Sequence, residues 1–594
     1  MKYPKLKVIP ASRQMVDTFK GYNHNLRIGD GEFFDMKNMT SDYYPVLSPR
    51  GKRGVYASPA SPTGLIAKDA LCYVDGSKFV INEYPIEMGL NDEPKQLISM
   101  GAYVIIMPDR KWINTQCWDG NVFDVEKGTG DIDAHFDNAK SGLDVTFSLC
   151  TLDGADRIVK YHGANEPNET ANTDLENLDL WIDESSTPHA LKQYSASSKA
   201  WVQIATTYIK ISCQGIGAAF EQYDGVTISG IKADELQDLN ASMVIWAKSD
   251  DYIVVVGILD ETISQPVDMG AISVDRKMPS MDFIIESENR LWGCKYGEAN
   301  NGQIVNEIYA SKLGDFKNWN CFMGVSTDSY AASCGTDGQF TGAITHMGYP
   351  LFFKENCVHK VYGNYPANFQ IQTTACSGVQ KDSGKSLAIV NTTLFYKSVS
   401  GVCAYDGSLP TVMSYALGNE AYSEAVGGSH GNKYYISMKD VSGNYNLFVY
   451  DAAKGMWHKE DDLQVDCFCS CRGEMYAISN GEIITMTSGT PDADPVEWMV
   501  ETGEIGINSP DMKYISRITL RMSMDIDTEV VIYAQYDSRD EWEIVCTMHG
   551  TDLRSFSIPI RPMRCDHMKL RIEGVGAAKI YSITKTIEQG SELS

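Results

Sequence analysis

The chain has 594 residues, 43% of them apolar and 22% charged, a globular composition that excludes general disorder at a length too great for one ordinary core. Its 51 Lys and Arg against 78 Asp and Glu leave a formal charge of −27, which excludes broad electrostatic binding to DNA or RNA outside a local basic cluster. Fifteen cysteines, scattered mostly singly, read as small buried apolar residues of a reducing compartment and not as a disulfide framework.

In chain order, the opening MKYPKLKVIP carries two prolines and no apolar core, as expected of a chain made in the cytosol without an ordinary signal peptide. The longest nearly pure apolar run, Tyr252 to Leu259, is far short of the roughly 20 residues of a membrane helix, so no membrane contact is expected. Residues 1–60 have turn and aromatic signals without periodicity (Gly29-Asp30-Gly31, Phe33-Phe34, Tyr43-Tyr44-Pro45) and read as an extended N-terminal arm or entry segment. Arg50-Gly51-Lys52-Arg53, the one dense basic patch, reads as a solvated loop.

A strand, tight turn, strand signature then recurs. It begins near Leu65 with a turn at Lys68-Asp69, and near Ile98 with a turn at Met100-Gly101. It is clearest at Phe283-Ile284-Ile285, turning at Glu288-Asn289 into Leu291-Trp292-Gly293-Cys294, with a third strand from Val305 to Ser311 and an anchor at Trp319. Further copies turn at Met347-Gly348, Asn391-Thr392, Gly431-Asn432 and Arg472-Gly473. From residue 289 onward the turns are about 40 to 60 residues apart, close to the blade period of β-propellers, and one such unit cannot cover both its own faces. The expected fold class is all-β: a propeller of about seven blades in 61–127 and 279–490, interrupted by a small inserted β-domain.

The insertion is expected at 128–278, where the rhythm stops. Asp179 to Asp183, Leu191 to Tyr194 and Trp201 to Ile204 form a meander, and Asp224 to Gly230 and Tyr252 to Gly257 add strands. Tyr161 to Asn177 reads as a mobile loop, and Thr487 to Pro495 as a linker. Beyond it, period-two alternation of Ile518, Leu520, Met522, of Val530, Ile532, Ala534 and of Met568, Leu570, Ile572 predicts a β-sandwich over 491–594.

Catalytic patterns are sought and set aside. Gly427 to Gly431 satisfies G-x-S-x-G, but a strand follows where a nucleophile elbow needs a helix. Gly378 to Ser386 ends like a phosphate loop with the wrong spacing. Cys467, Cys469 and Cys471, with His458, are too far apart on an extended strand to share a zinc. Asp131, Asp133 and Asp137 lack the Gly and Glu of a calcium loop. No catalytic, cofactor or metal site is expected, and the chain is expected not to be an enzyme. Trp181 and Trp201 are the candidate glycan-stacking residues.

The order Asn23, Asn25, Gly31-Glu32, Asn38-Met39, Pro45, Pro49-Arg50, placed directly before blade-like repeats, resembles the opening of propeller proteins of tailed bacteriophages, of the tail nozzle and packaged-DNA stabilisation type. Arg290-Leu291-Trp292-Gly293, Tyr309 to Gly314, Leu351 to Lys354 and Tyr405-Asp406-Gly407 are similar to the same group. The resemblance implies a structural virion protein of the tail or connector, made in the host bacterial cytoplasm. It implies a homo-oligomeric ring, contacts with other tail and portal proteins, and passing contact with phage DNA in a channel. The alternative is a glycan-binding adhesin or tail-tip receptor-binding protein that takes a host-surface glycan with its inserted domain; a propeller glycosidase is the third reading.

Overall fold

In the computed structural model the residues described are 11–118, 122–168, 174–299, 302–489, 493–508, 512–539 and 541–589, and almost every element among them is a strand. The all-β propeller class expected from the repeats is observed, as seven four-stranded sheets of blade type. The chain divides into two compact units, one of residues 1–97, 340–360 and 373–594, the other of 98–339 and 361–372.

In the first unit the blade sheets are antiparallel meanders. One runs Pro62–Lys68, Ala70–Asp75, Lys78–Ile81, Tyr84–Glu87. Others are built on the hairpins Gly342–His346 with Tyr349–Lys354, Ala388–Val390 with Thr393–Ser398, and Tyr422–His430 with Lys433–Asp440. The last runs Cys467–Cys471, Glu474–Ser479, Glu482–Thr485 and takes its fourth strand from Gly54–Ala57. Corners at Asp69, Met347, Asn391 and Arg472 have φ of +52°, +53°, +56° and +51°. These non-glycine residues hold a disfavoured backbone because the paired strands on both sides impose the tight turn.

Successive side chains of a strand point to opposite faces, so each inner strand packs two neighbours. Leu351 and Phe353 meet Leu394 and Tyr396. Phe395, on the other face, joins Ile436 and Phe448. Tyr435 and Val449 meet Met475 and Ala477, and Ile478 and Ile483 meet Leu65 and Leu71. This explains why strands such as Leu351–Phe353 are apolar at every position and not at alternate ones.

The expected C-terminal sandwich is present. Its central strand, Lys513–Tyr536, pairs with Ala578–Gln589 up to Met524 and with Met568–Val575 from Glu529 onward, and the register shift between those points turns it from one half-sheet into the other. Glu543–Ile558 follows it on its other side through both halves. Ile518, Leu520, Met522, Val530 and Ile532 face inward and are fully buried.

Residues 1–60 are expected as an extended arm, and the described ones among them, 11–60, contribute strands to this sandwich and to the last blade. Ala11–Val16 pairs with Ala578–Gln589, and Glu32–Lys37 with Glu497–Thr502. The basic patch expected as a solvated loop is also corrected. Arg53 bonds Glu460 Oε2 at 2.5 Å and Asp461 Oδ2 at 2.6 Å, Arg50 reaches Asp461 at 3.2 Å, and all four side chains are largely buried. The centre of the expected linker, 490–492, lies outside the described residues.

In the second unit two further blades are built on Gln96–Met100 with Tyr103–Met107 and on Phe283–Ser287 with Arg290–Glu298, packed through Ile98, Ile105, Ile284, Leu291 and Trp319. The first ends on Thr129–Asp131, so the insertion runs from Ala134 to Arg276 and not from 128. Gly130 makes that strand unreadable in the sequence; it is a glycine because the Trp112 ring lies against it. Within the insertion a four-stranded and a five-stranded sheet share a core of Phe147, Ile211, Phe220, Val226, Ile253 and Val274. A third sheet adds Tyr161–Gly163 parallel to Leu180–Asp183, which removes the start of the expected mobile loop; 169–173 lie outside the described residues. Among the described residues no helix is long and apolar enough to cross a membrane.

Candidate functional site

The aromatic candidates sit on the third sheet of the insertion, where Leu180–Asp183, Ala190–Ser195 and Ala200–Gln203 pair in succession. Trp181 is only 2% exposed. Its indole N–H donates to Gly163 O at 2.9 Å, Trp201 packs edge-on at 5.5 Å, and the Lys192 ammonium lies 4.8 Å above its ring. Lys192 also donates to Asp183 Oδ2 at 2.7 Å, and that bond, with those from Ser185, holds the Asp183 carboxyl at about 2. Trp201 is half-buried between Tyr161 and Tyr194, and its N–H is taken by Pro167 O. Trp181 is therefore corrected from a stacking residue to a core residue, because a sugar needs an open ring face and both of its faces are covered. Trp201 belongs to the same packed cluster.

The other singled-out residues are dispersed or spent on structure. Asp131 pairs with Lys111 and Asp133 with Arg110, while Asp137 accepts from Ala139 N–H. Cys467, Cys469 and Cys471 lie on one strand against Leu65 and Leu71, and burial pushes the Cys469 thiol up to about 12. Gly427 to Gly431 runs into a hairpin, as its sequence requires. Among the described residues no three metal-ligating side chains are grouped.

The feature that sequence reasoning missed is at the edges of the sandwich. Glu543–Ile558 pairs only with Lys513–Tyr536, and Ala11–Val16 only with Ala578–Gln589, so among the described residues these two strands of one sheet have outer backbone groups with no strand partner. Apolar side chains are exposed along them: Ile544 is 67% exposed and Met15 63%, with Leu553 also open. An uncovered edge of sixteen residues is a template for another strand, and proteins that stay monomeric usually blunt such edges. The signal in the sequence was the alternation of Ile544, Cys546 and Met548, which shows a strand but not which of its edges is paired.

No family model and no curated protein matches the chain. Among solved structures it is similar to the exo-β-1,3-galactanase of Phanerochaete chrysosporium solved with galactose, at 8% identity over 51% of this chain and 94% of that one, TM-score 0.20. It is similar to an engineered family-43 glycoside hydrolase at 8% identity over 53% and 99%, TM-score 0.19. It is similar to the sialidase of Trypanosoma rangeli at 7% identity over 96% and 95%, TM-score 0.19. The expectation that the chain is not an enzyme is corrected on this finding: the structures named are enzymes, and a non-catalytic class is no longer assigned. At these TM-scores the likeness transfers no residue, substrate or reaction.

Proposed function

We propose that the chain is an assembly component of a tailed-bacteriophage virion, in the tail or connector, whose copies join edge to edge through the C-terminal sandwich. The observation that carries the reading is the pair of open strands, Ala11–Val16 and Glu543–Ile558, at different edges of one sheet. Two unlike edges on one molecule suit a heterologous contact, which closes into a ring when the rotation between copies permits. The resemblance of the N-terminal and blade segments to phage propeller proteins supports the virion setting. An acidic surface, from a net charge of −27, suits a channel along which DNA passes without adhering.

Mass photometry of the full-length chain across nanomolar to micromolar concentrations tests assembly, and mass spectrometry of purified virions tests the setting. Multiples of the 65.8 kDa chain are expected, converted to single copies by Ile544→Lys with Leu553→Lys. A wild-type chain that stays single at every concentration and is absent from virions overturns the proposal.

A further inference from the structure

Within the first unit, between the blade of Ala388–Val412 and that of Tyr422–Lys459, lies a pocket of about 420 Å³. Gln380, Lys397, Ser400, Asn419, Glu420 and Tyr422 contribute polar groups to its lining, beside apolar ones such as Val402 and Met438. Lys397 is the unusual member. It is 3% exposed, and its backbone is pinned by Ser386 Oγ on the N–H side and by Gln380 N–H on the carbonyl side. Its Nζ donates to Gln380 Oε1 at 2.7 Å and to Ser398 O at 2.6 Å. Both acceptors are neutral, and among the described residues no carboxylate lies within ion-pair reach. An ammonium has three N–H donors, so one donor and the whole charge are left over. Buried charges are normally paired, because a neutral surround does not replace the water they lose.

We infer that this pocket binds a sugar acid, a hydroxylated ligand whose carboxylate pairs with Lys397. The second half of the argument is Glu420, a carboxylate on the exposed rim of the same pocket. It repels a second anion and accepts hydrogen bonds from hydroxyl groups, so one end of the pocket selects negative charge and the other selects hydroxyls. A volume of 420 Å³ lies in the usual range for small ligands, about 300–1,000 Å³. Burial lowers the Lys397 amine to about 8, and the one titratable group close enough to act on it is the Cys403 thiol; the ammonium is still the main form at pH 7. The inference is independent of ring assembly, since no residue lining the pocket belongs to Ala11–Val16 or Glu543–Ile558.

The test is calorimetric titration of the full-length chain at pH 7 with D-glucuronate and N-acetylneuraminate, with acetate and D-glucose as the free-carboxylate and neutral-sugar arms. At least one sugar acid is expected to bind saturably, tenfold or more tighter than acetate, with glucose silent. Lys397→Met is expected to abolish binding without loss of thermal stability. Glu420→Ala, on the exposed rim, keeps the fold and is expected to reduce the sugar acid to the affinity of acetate. Absence of binding by both sugar acids, acetate equal to them in the wild type, binding that survives Lys397→Met, or an undiminished preference for the sugar acid over acetate in Glu420→Ala overturns the inference.

Discussion

The clamp that seats the fourth strand of the last blade gives the sharpest test of the fold. Arg50 and Arg53 face Glu460 and Asp461, two cations against two anions, with side chains between 7% and 14% exposed. Arg53→Met leaves both carboxylates with Arg50 alone, whose nearest contacts are 3.7 Å to Glu460 and 3.2 Å to Asp461. Removing one partner of a buried ion pair costs about 3–5 kcal/mol, and the low end applies because Arg50 remains. The strand that depends on the clamp, Gly54–Ala57, is held by only a few ladder bonds to Glu482–Thr485. A loss of about 3 kcal/mol raises its local opening, and hence the amide exchange of residues 54–57, roughly 100-fold at about 1.4 kcal/mol per decade. Hydrogen exchange read by mass spectrometry on the peptide covering this strand is the assay. Arg53→Met with Glu460→Met restores one cation to one anion and is expected to recover most of the protection. Exchange that changes less than fivefold in the single variant, or a double variant as open as the two singles combined, refutes the reasoning.

Three further outcomes follow from the same structure. His458 is buried, and burial, with Lys433 nearby, lowers its imidazole to about 3 from 6.5, so the unfolded chain takes the proton first. Its contribution is complete above pH 6.5 and falls as the pH drops toward 3, by about 2 kcal/mol at pH 5 from roughly 1.4 kcal/mol per pH unit; urea unfolding at pH 7 and pH 5 should show that difference in the wild type and lack it in His458→Gln. Gly574→Ala places a methyl into the Trp498 ring, whose N–H is fixed on Gly576 O, so a cost of about 1–3 kcal/mol is expected, read as a lowered melting temperature; an unchanged melting temperature counts against this packing. Trp181→Ala should cost about 3–5 kcal/mol and loosen amide exchange across 180–203, whereas a residue free to stack on sugar would give a stable variant.

The blades were legible because their signal is local. A hairpin brings its own partner within a few residues, so the corners at Asp69, Asn289, Met347, Asn391, Gly431 and Arg472 stand at readable spacings beside apolar runs. The sandwich was legible for a related reason: the alternation at Ile518 to Met522 records one wet and one dry face. The glycines were harder, and the strand Thr129–Asp131 was assigned to the insertion because the Trp112 ring takes the place of side chains there.

What the candidate site needed was not local. The sequence identifies Glu543–Ile558 as a strand, while only the ladder shows that one side of it is left open. Trp181 and Trp201 are aromatic in either reading, and only packing decides whether a ring face meets water or another ring. The two arginines of the basic patch read as a loop because their anions lie some 400 residues onward, and Ala11–Val16 has its partner at the far end of the chain. Side-chain type and turn chemistry are properties of neighbours along the chain and determined the class of sheet. Pairing between distant segments leaves no periodic trace, so the closing strand, the open edges and the unpaired charge of Lys397 were decided by tertiary structure alone.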